Sequence, residues 1–254
     1  MINTDTQFAS TLNKKYLPGA RAFLKSLIEK NSFNYLYNFF VFDEIDQNER
    51  DSLKNVYPNI NFIDIDKSLY NYYNTCDTFR NWGINCYNRF DIFTLKCEKV
   101  IFFDVDIIVL DSINEIFDFN GEFGAVEAPS YSRLDHPTSK FFDGGVMIIS
   151  KKFLSEKTRD TLIDISKQKK WSSDEPVLNA FFENSVTYLP NKYNVLTFDY
   201  HNHRNNTSIL QYVGHKKPWY GDSIDSNYDD FIKKSVKVTD LIKFQNLFNK
   251  YSKK

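Results

Sequence analysis

Two aspartates, Asp104 and Asp106, lie within the otherwise apolar stretch KVIFFDVDIIVL at residues 99–110. Its β-branched and aromatic residues are typical of a parallel strand covered on both faces. Side chains two positions apart on an extended chain point the same way, so both carboxylates could approach one point. Burying two like charges together is unfavourable unless a cation or hydrogen bonds compensate. The pattern therefore predicts a divalent metal site at the carboxyl end of a strand, where open α/β sheets bind ligands.

Two other interpretations of the acidic pair stay open from the residues alone. The aspartates could already have left the strand and lie solvated in a loop, although apolar residues continue to Leu110. An acidic D-x-D after an apolar strand also begins the site of haloacid-dehalogenase-type phosphohydrolases, in which the first Asp attacks phosphate. That class carries the motif near its amino terminus, whereas about a hundred residues precede it here.

Length and composition indicate one large α/β domain with a proper core, because the chain has 254 residues and is 42% hydrophobic. A formal net charge of −1 gives no sign of a nucleic-acid or anionic-membrane partner. The amino-terminal residues lack a basic region followed by a long apolar run, which predicts a cytoplasmic protein. The odd set Cys76, Cys86 and Cys97 lacks zinc-site spacing and favours a reducing compartment.

Strand and helix patterns alternate along the chain. Strands are predicted at 7–12, 37–42, 61–65, 123–128 and 145–150, and helices from Pro18 onward, at 151–170 and at 175–182. This order predicts an α/β protein with a mainly parallel central sheet flanked by helices. The amphipathic carboxy-terminal segment, 236–254, is expected to form a helix that packs onto the domain, with membrane-surface contact as the alternative.

Five motifs occur in an order and spacing that resembles glycosyltransferase family 8, the family of glycogenin and of bacterial galactosyl- and glucosyltransferases. They are DVD at 104–106, FFDGGVMI at 141–148, SSDEPVLNAFF at 172–182, LPNKYN at 189–194 and YVGHKKPW at 212–219. The resemblance implies a GT-A (Rossmann-like) fold in a single domain over 1–254. It also implies a UDP-linked glucose or galactose donor, a Mn²⁺ or Mg²⁺ ion, and transfer with retention at the anomeric carbon.

The resemblance further assigns roles residue by residue. Asp104 and Asp106 correspond to the metal pair, and Val105 between them to a contact with the ribose. An aromatic ring can stack on uracil while an amide reads its edge. The remaining donor-binding positions implied are Leu12, Asn13 and Tyr16 for the nucleoside, Gly214 and Lys217 for the phosphates, and Asp143 and Gly144 for the sugar. Arg89 is expected either to engage donor oxygens or to orient an aspartate.

Asp174 matches a position that holds the transferred sugar and Glu175 a position next to the reacting face, and the two are the predicted catalytic residues. Glu175 replaces the usual Gln and could be a covalent nucleophile. Retention by front-face attack, with stabilisation of the leaving group as the main catalytic contribution, is the other interpretation.

A second departure concerns the metal. Gln211 occupies the position where the family supplies a histidine ligand, and an amide oxygen suits Mn²⁺ less well than imidazole. His215 could substitute after a shift of its loop, whereas His201 and His203 are expected in an exposed loop. The replacements leave open a non-catalytic UDP-sugar binder.

The expected partners are a UDP-sugar donor and a glycan, lipid-linked glycan or protein acceptor, with no nucleic acid. Weak contact with a membrane surface and formation of a homodimer stay open.

Overall fold

The computed structural model describes residues 2–32, 34–70, 84–129, 140–168, 171–221 and 223–252. The strands of this part are β1 (Asn3–Leu12), β2 (Tyr35–Val41), β3 (Ile60–Asp64), β4 (Lys99–Phe103), β5 (Ile107–Val109), β6 (Phe123–Glu127), β7 (Phe142–Ser150), β8 (Val186–Leu189), β9 (Val195–Leu196) and β10 (Ile209–Gln211). The α-helices are α1 (Leu17–Lys30), α2 (Gln47–Lys54), α3 (Glu156–Lys167), α4 (Asp174–Phe182), α5 (Tyr200–His203), α6 (Ile224–Asn227), α7 (Asp230–Ser235) and α8 (Val238–Ser252).

Seven strands form the larger sheet in the order β3-β2-β1-β4-β7-β6-β8. Strands β1 to β4 are parallel to their neighbours among themselves, and β8 is parallel to β6. Strand β7 runs against both β4 and β6. The α/β class with a mainly parallel sheet and flanking helices is therefore confirmed.

Helix α1 follows β1 as the sequence predicts. Pro18 lies in its first turn, where the missing N–H costs nothing. The helix buries an apolar face that includes Ala20, Phe23 and Leu27 against the sheet. This face holds the start of the helix close to the carboxyl end of β1.

Strand β4 is covered on both faces. Ile101 and Phe103 belong to the core on the α1 side, whereas Val100 and Phe102 belong to the core beneath α3 and α4. Alternate side chains of a strand point to opposite faces, so a strand buried on both sides is apolar throughout.

The expectation of one continuous strand over 99–110 is wrong. Strand β4 ends at Phe103, and β5 begins at Ile107 in a second, three-stranded sheet, where it runs antiparallel to β10. The Asp104 N–H donates to the carbonyl of Gly145, and the Asp106 carbonyl accepts from the N–H of Tyr212. The acidic pair therefore lies where the chain crosses from one sheet to the other.

The carboxy-terminal helix α8 packs onto α1. Leu241, Phe244, Phe248 and Tyr251 are buried in a cluster that also contains Ala22 of α1. Lys250 adds an ion pair with Glu29 at 2.6 Å. The helix begins at Val238, and its apolar stripe faces the domain.

Two further sequence predictions need correction. The helix predicted over 151–170 is a 3-10 turn at Lys151–Phe153 followed by α3, because Ser155 caps a new helix by accepting from the Thr158 N–H at 3.1 Å. Residues 169–170 lie outside the described part. The segment expected to be a loop around His201 and His203 contains the short helix α5.

None of the helices described is both long and apolar enough to cross a bilayer. Cys86 and Cys97 are both partly buried, and Cys76 lies outside the described residues.

Candidate active site

A cleft of about 300 Å³ opens at the carboxyl ends of β1 and β4. It brings together seven of the predicted site residues, Leu12, Asn13, Tyr16, Arg89, Asp104, Val105 and Asp106. Parallel strands end at one edge of a sheet, so residues distant in sequence meet there.

The two aspartates face the same amide. The Nε2 atom of Gln211 lies 3.0 Å from Asp104 Oδ2 and 3.4 Å from Asp106 Oδ1. Strand pairing explains this contact, because Gln211 of β10 lies opposite Ile107 of β5, immediately after the acidic pair. Its Oε1 atom is buried and has no hydrogen-bond partner among the residues described.

Lys217 is buried against Asp106. Its Nζ lies 2.7 Å from Asp106 Oδ2 and donates to the Tyr212 carbonyl at 2.5 Å. Only 2% of the Lys217 side chain is exposed, so the ion pair is shielded from water. Lys217, which is predicted to bind donor phosphates, is therefore held beside Asp106.

Arg89 joins the acidic pair to helix α4. Its Nη2 donates to Asp104 Oδ1 at 2.9 Å, and its Nε lies 3.2 Å from Asp174 Oδ2. Its Nη1 donates to the Gly144 carbonyl at 3.2 Å. The planar guanidinium thus fixes the relative positions of a predicted metal ligand and a predicted catalytic acid.

Asp143 and Glu175 are held by N–H groups. Asp143 Oδ1 accepts from the Gly145 N–H at 2.8 Å and from Asn194 Nδ2 at 2.7 Å. Glu175 Oε1 accepts from the Gly144 N–H at 3.0 Å. Both acids therefore lie near Arg89, whose Nη1 donates to the Gly144 carbonyl at the start of β7.

The glycines have different neighbours from those expected. A Cβ at Gly144 would lie 2.2 Å from Arg89 Nη1, and one at Gly145 would lie 2.3 Å from Gln211 Oε1. The side chains of Arg89 and Gln211 thus fill the space beside these two glycines. Gly214 has a φ of +95° and lies against Asp229 instead of lining the cleft.

Burial raises the pKa of four acids of this site. It raises the pKa of Asp104 to about 7, although Arg89 acts in the opposite direction. Burial also raises the pKa of Asp143 and Asp174, and raises that of Glu175 well above its usual range. Desolvation disfavours the ionised carboxylate, so a cation that neutralised these acids would be bound favourably.

Tyr16 and Asn13 line the cleft. Asn13 Oδ1 accepts from the Tyr16 N–H at 3.2 Å and so begins the 3-10 helix Lys14–Tyr16. Trp219 packs edge-on against the Tyr16 ring, with centroids 5.5 Å apart. The tyrosine ring is therefore fixed in place beside Val105.

The described residues contain no group of three His, Cys, Asp or Glu side chains that could hold a metal ion by themselves. The oxygen chemistry nevertheless fits a hard cation. Asp104 and Asp106 converge on one atom of Gln211, and the unpaired Oε1 of that amide would face the same point after a 180° rotation. Two carboxylates and one amide oxygen would then form the protein part of the shell.

The histidines have separate surroundings. His215 is exposed and lines the cleft, with its N–H donating to Asp229. His203 lies 3.2 Å from Asp199 in a different cavity, and His201 is exposed on α5.

Sequence reasoning missed several residues of the site. Asn88, Phe42 and Tyr220 line the cleft, and Asn194 holds Asp143. Asn194 ends the motif LPNKYN, which offered a signal, whereas Asn88 has no local pattern that marks it.

Fold and site together define an α/β protein with a cleft that contains buried acids at the edge of a mainly parallel sheet. Residues 7–223 match the sequence profile of glycosyl transferase family 8, and the chain belongs to this family. The assignment gives no support to the phosphohydrolase alternative.

Two curated relatives are named as lipopolysaccharide glycosyltransferases. The chain is 30% identical over 171 residues to lipopolysaccharide 1,2-glucosyltransferase of Escherichia coli, covering 55% of this chain and 50% of that protein. It is 26% identical over 249 residues to lipopolysaccharide 1,3-galactosyltransferase of Salmonella typhimurium, covering 82% and 71%. The chain thus spans half of the length of the first relative.

Solved structures share the fold. The galactosyltransferase LgtC, in complex with donor and acceptor sugar analogues, superposes with a TM-score of 0.74 over 98% of this chain and 97% of its own, at 18% identity. The glycosyltransferase GlyE of Streptococcus pneumoniae TIGR4 gives 0.66 over 98% and 60%, at 21% identity. At these identities the likeness shows the GT-A fold alone.

Proposed function

We propose that this family 8 glycosyltransferase moves glucose or galactose from a UDP-sugar to a hydroxyl acceptor, with retention at the anomeric carbon and with a divalent metal ion. One observation carries the proposal. The carboxylates of Asp104 and Asp106 converge on a single amide at the carboxyl end of β4. The whole chain, residues 1–254, is proposed to form one domain for this reaction.

Asp104, Asp106 and the amide oxygen of Gln211 would hold the ion. A bound Mg²⁺ or Mn²⁺ supplies charge that stabilises the departing diphosphate. The buried acids favour such a cation, because burial raises the pKa of Asp104 to about 7 and so makes its lone negative charge unfavourable.

The cleft wall provides a nucleoside site. The fixed Tyr16 ring offers a flat surface for a base, and Asn13 lies beside it at the end of β1. Lys217 is within reach of the same place, since its Nζ lies 5.8 Å from the centroid of the Tyr16 ring. A lysine shared between Asp106 and donor phosphates would couple nucleotide binding to the acidic pair.

The acids beyond Arg89 suit the transferred sugar. Asp143, Asp174 and Glu175 offer oxygen atoms that accept hydrogen bonds from sugar hydroxyls. A raised pKa keeps Glu175 protonated over a wider pH range, and a protonated carboxyl is a poor nucleophile. Front-face attack with stabilisation of the leaving group is therefore the mechanism we favour over a covalent intermediate on Glu175.

The acceptor is proposed to be a glycan hydroxyl. Both curated relatives carry names of lipopolysaccharide glycosyltransferases, one for glucose and one for galactose. These names favour a bacterial surface glycan over a protein as the acceptor. They are compatible with either glucose or galactose as the donor sugar.

The test measures UDP release from UDP-glucose and UDP-galactose with Mn²⁺, with Mg²⁺ and with EDTA. Release should need metal and should be lost in Asp106→Ala, whereas Asp160→Ala, at an exposed acid of α3, should behave as wild type. Proton NMR of the product should show the anomeric configuration of the donor. Metal-independent release, or an inverted product, would contradict the proposal.

A non-catalytic UDP-sugar binder is the second candidate. Lys217 and Gln211 already bind the two acids that a metal would need, which favours it. Under this candidate UDP-sugar binds tightly and is neither transferred nor hydrolysed. Calorimetry and the release assay on one preparation separate the two functions.

A further inference from the structure

Asn88 lies in the wall of the cleft, within the 3-10 helix Ile84–Thr94. The residue is 1% exposed, and neither Oδ1 nor Nδ2 has a hydrogen-bond partner among the described residues. Buried amides are almost always paired, because an unpaired group has lost its hydrogen bonds with water without replacement. Within the part of the chain that the structure describes, the Asn88 amide is therefore unsatisfied at the cleft.

Asn38, a buried asparagine elsewhere in the fold, is paired at both ends of its amide. Asn38 is also 1% exposed, but its Nδ2 donates to Gln7 Oε1 at 2.8 Å and its Oδ1 accepts from Asn61 Nδ2 at 3.1 Å. The adjacent Tyr87 does not pair with Asn88, because its hydroxyl donates to the Ser173 carbonyl at 3.2 Å. A packing role thus leaves the polar ends of Asn88 unexplained.

We propose that Asn88 is a donor-binding residue whose carboxamide hydrogen-bonds the nucleotide sugar, an inference that rests on the proposed function. A carboxamide presents an N–H donor and a carbonyl acceptor side by side. A uracil edge and a pair of neighbouring sugar hydroxyls both complement this arrangement, and both belong to a nucleoside-diphosphate sugar. A ligand that pairs the amide is selected over one that leaves it unpaired.

The experiment compares Asn88→Ala with the matched control Asn38→Ala. Thermal unfolding is measured without ligand, and calorimetry gives the Kd of UDP, UDP-glucose and UDP-galactose with Mn²⁺. Asn88→Ala should leave the Tm unchanged or higher and should weaken donor binding about tenfold, the effect of one lost hydrogen bond. Asn38→Ala should lower the Tm and leave the Kd unchanged. Asn88→Ser repeats the comparison if the alanine variant misfolds.

Each outcome decides the inference. An equal loss for all three ligands assigns the contact to the nucleoside diphosphate, and a loss confined to the UDP-hexoses assigns it to the sugar. Affinities within twofold of wild type, or a lower Tm without a change in affinity, overturn the role of Asn88 alone. Wild-type protein that binds none of the UDP compounds overturns the proposed function, and the donor contact with it.

Discussion

Gly19 of α1 lies directly against the carbonyl oxygen of Val105. A Cβ at Gly19 would come within 2.7 Å of that oxygen and within 2.7 Å of the Trp219 ring. The absence of a side chain therefore lets the start of α1 hold the turn between the two aspartates. Trp219 contacts the same glycine and the Tyr16 ring, so one point of α1 positions both the acidic pair and the nucleoside wall.

Gly19→Ala should displace this turn. In a helix, Gly to Ala is ordinarily stabilising by about 1 kcal/mol. Here the clash with a backbone oxygen should reverse the sign and cost about 1–3 kcal/mol, as overpacking does. Urea unfolding measures the stability, and calorimetry of Mn²⁺ with UDP should show weaker binding.

Gly121→Ala provides the control for that variant. A Cβ there would lie 2.3 Å from the Phe119 ring, remote from the cleft residues. It should lower stability without changing the affinity for Mn²⁺ and UDP. Equal losses of affinity in both variants would show that general destabilisation, and not the turn at Val105, explains the result.

The sequence predicted the larger architecture because each element has a strong local pattern. Strand β1, Pro18 and the apolar face of α1 are readable from alternation and helical spacing. The division of 99–110 into β4 and β5 is not readable in this way, since both halves are equally apolar. The strands that pair with each half determine where the division falls. Strands β1 and β7 pair with the first half, and β10, about a hundred residues later, pairs with the second.

The candidate site likewise has a part that local sequence predicts and a part that depends on the three-dimensional fold. Sequence motifs predicted the acids of the site. The contact between Gln211 and Asp104, in contrast, joins residues 107 positions apart and depends on strand register. The unpaired amide of Asn88 depends on what surrounds it in space, which a linear reading cannot supply.

Gln211→His should strengthen Mn²⁺ binding about tenfold or more, because imidazole is a better ligand for Mn²⁺ than a neutral amide. Mg²⁺, which prefers oxygen, should gain less. Isothermal titration of each ion in the presence of UDP measures the difference. Equal affinities in the variant and wild type would place Gln211 outside the metal shell.

Glu175→Gln should keep the transferase active within about tenfold of wild type, because front-face transfer needs no nucleophile at this position. A covalent mechanism predicts a loss of about a thousandfold or more, as seen when an essential nucleophile is removed. Initial rates with UDP-glucose and UDP-galactose distinguish the two. The larger loss would reinstate Glu175 as the nucleophile.

The same variant should change how stability depends on pH. Burial raises the pKa of Glu175 in the folded protein, so the folded state keeps a proton that the unfolded state releases. The stability this provides is fully present below the unfolded pKa and is lost as pH rises through the folded pKa. Glu175→Gln should therefore gain stability relative to wild type as pH rises, in urea unfolding with EDTA. A difference between the two proteins that is constant with pH would contradict this.

Lys217→Met should separate metal binding from nucleotide binding. The ammonium lies 2.7 Å from Asp106 Oδ2, so it competes with a cation for that carboxylate. Its removal should strengthen binding of Mn²⁺ alone, while loss of a phosphate contact should weaken UDP about tenfold. Lys216→Met is the matched control, because the Lys216 Nζ donates to the Asp225 carbonyl away from the acids. Weaker binding of both ligands in Lys217→Met would instead show that Lys217 supports the acidic pair structurally.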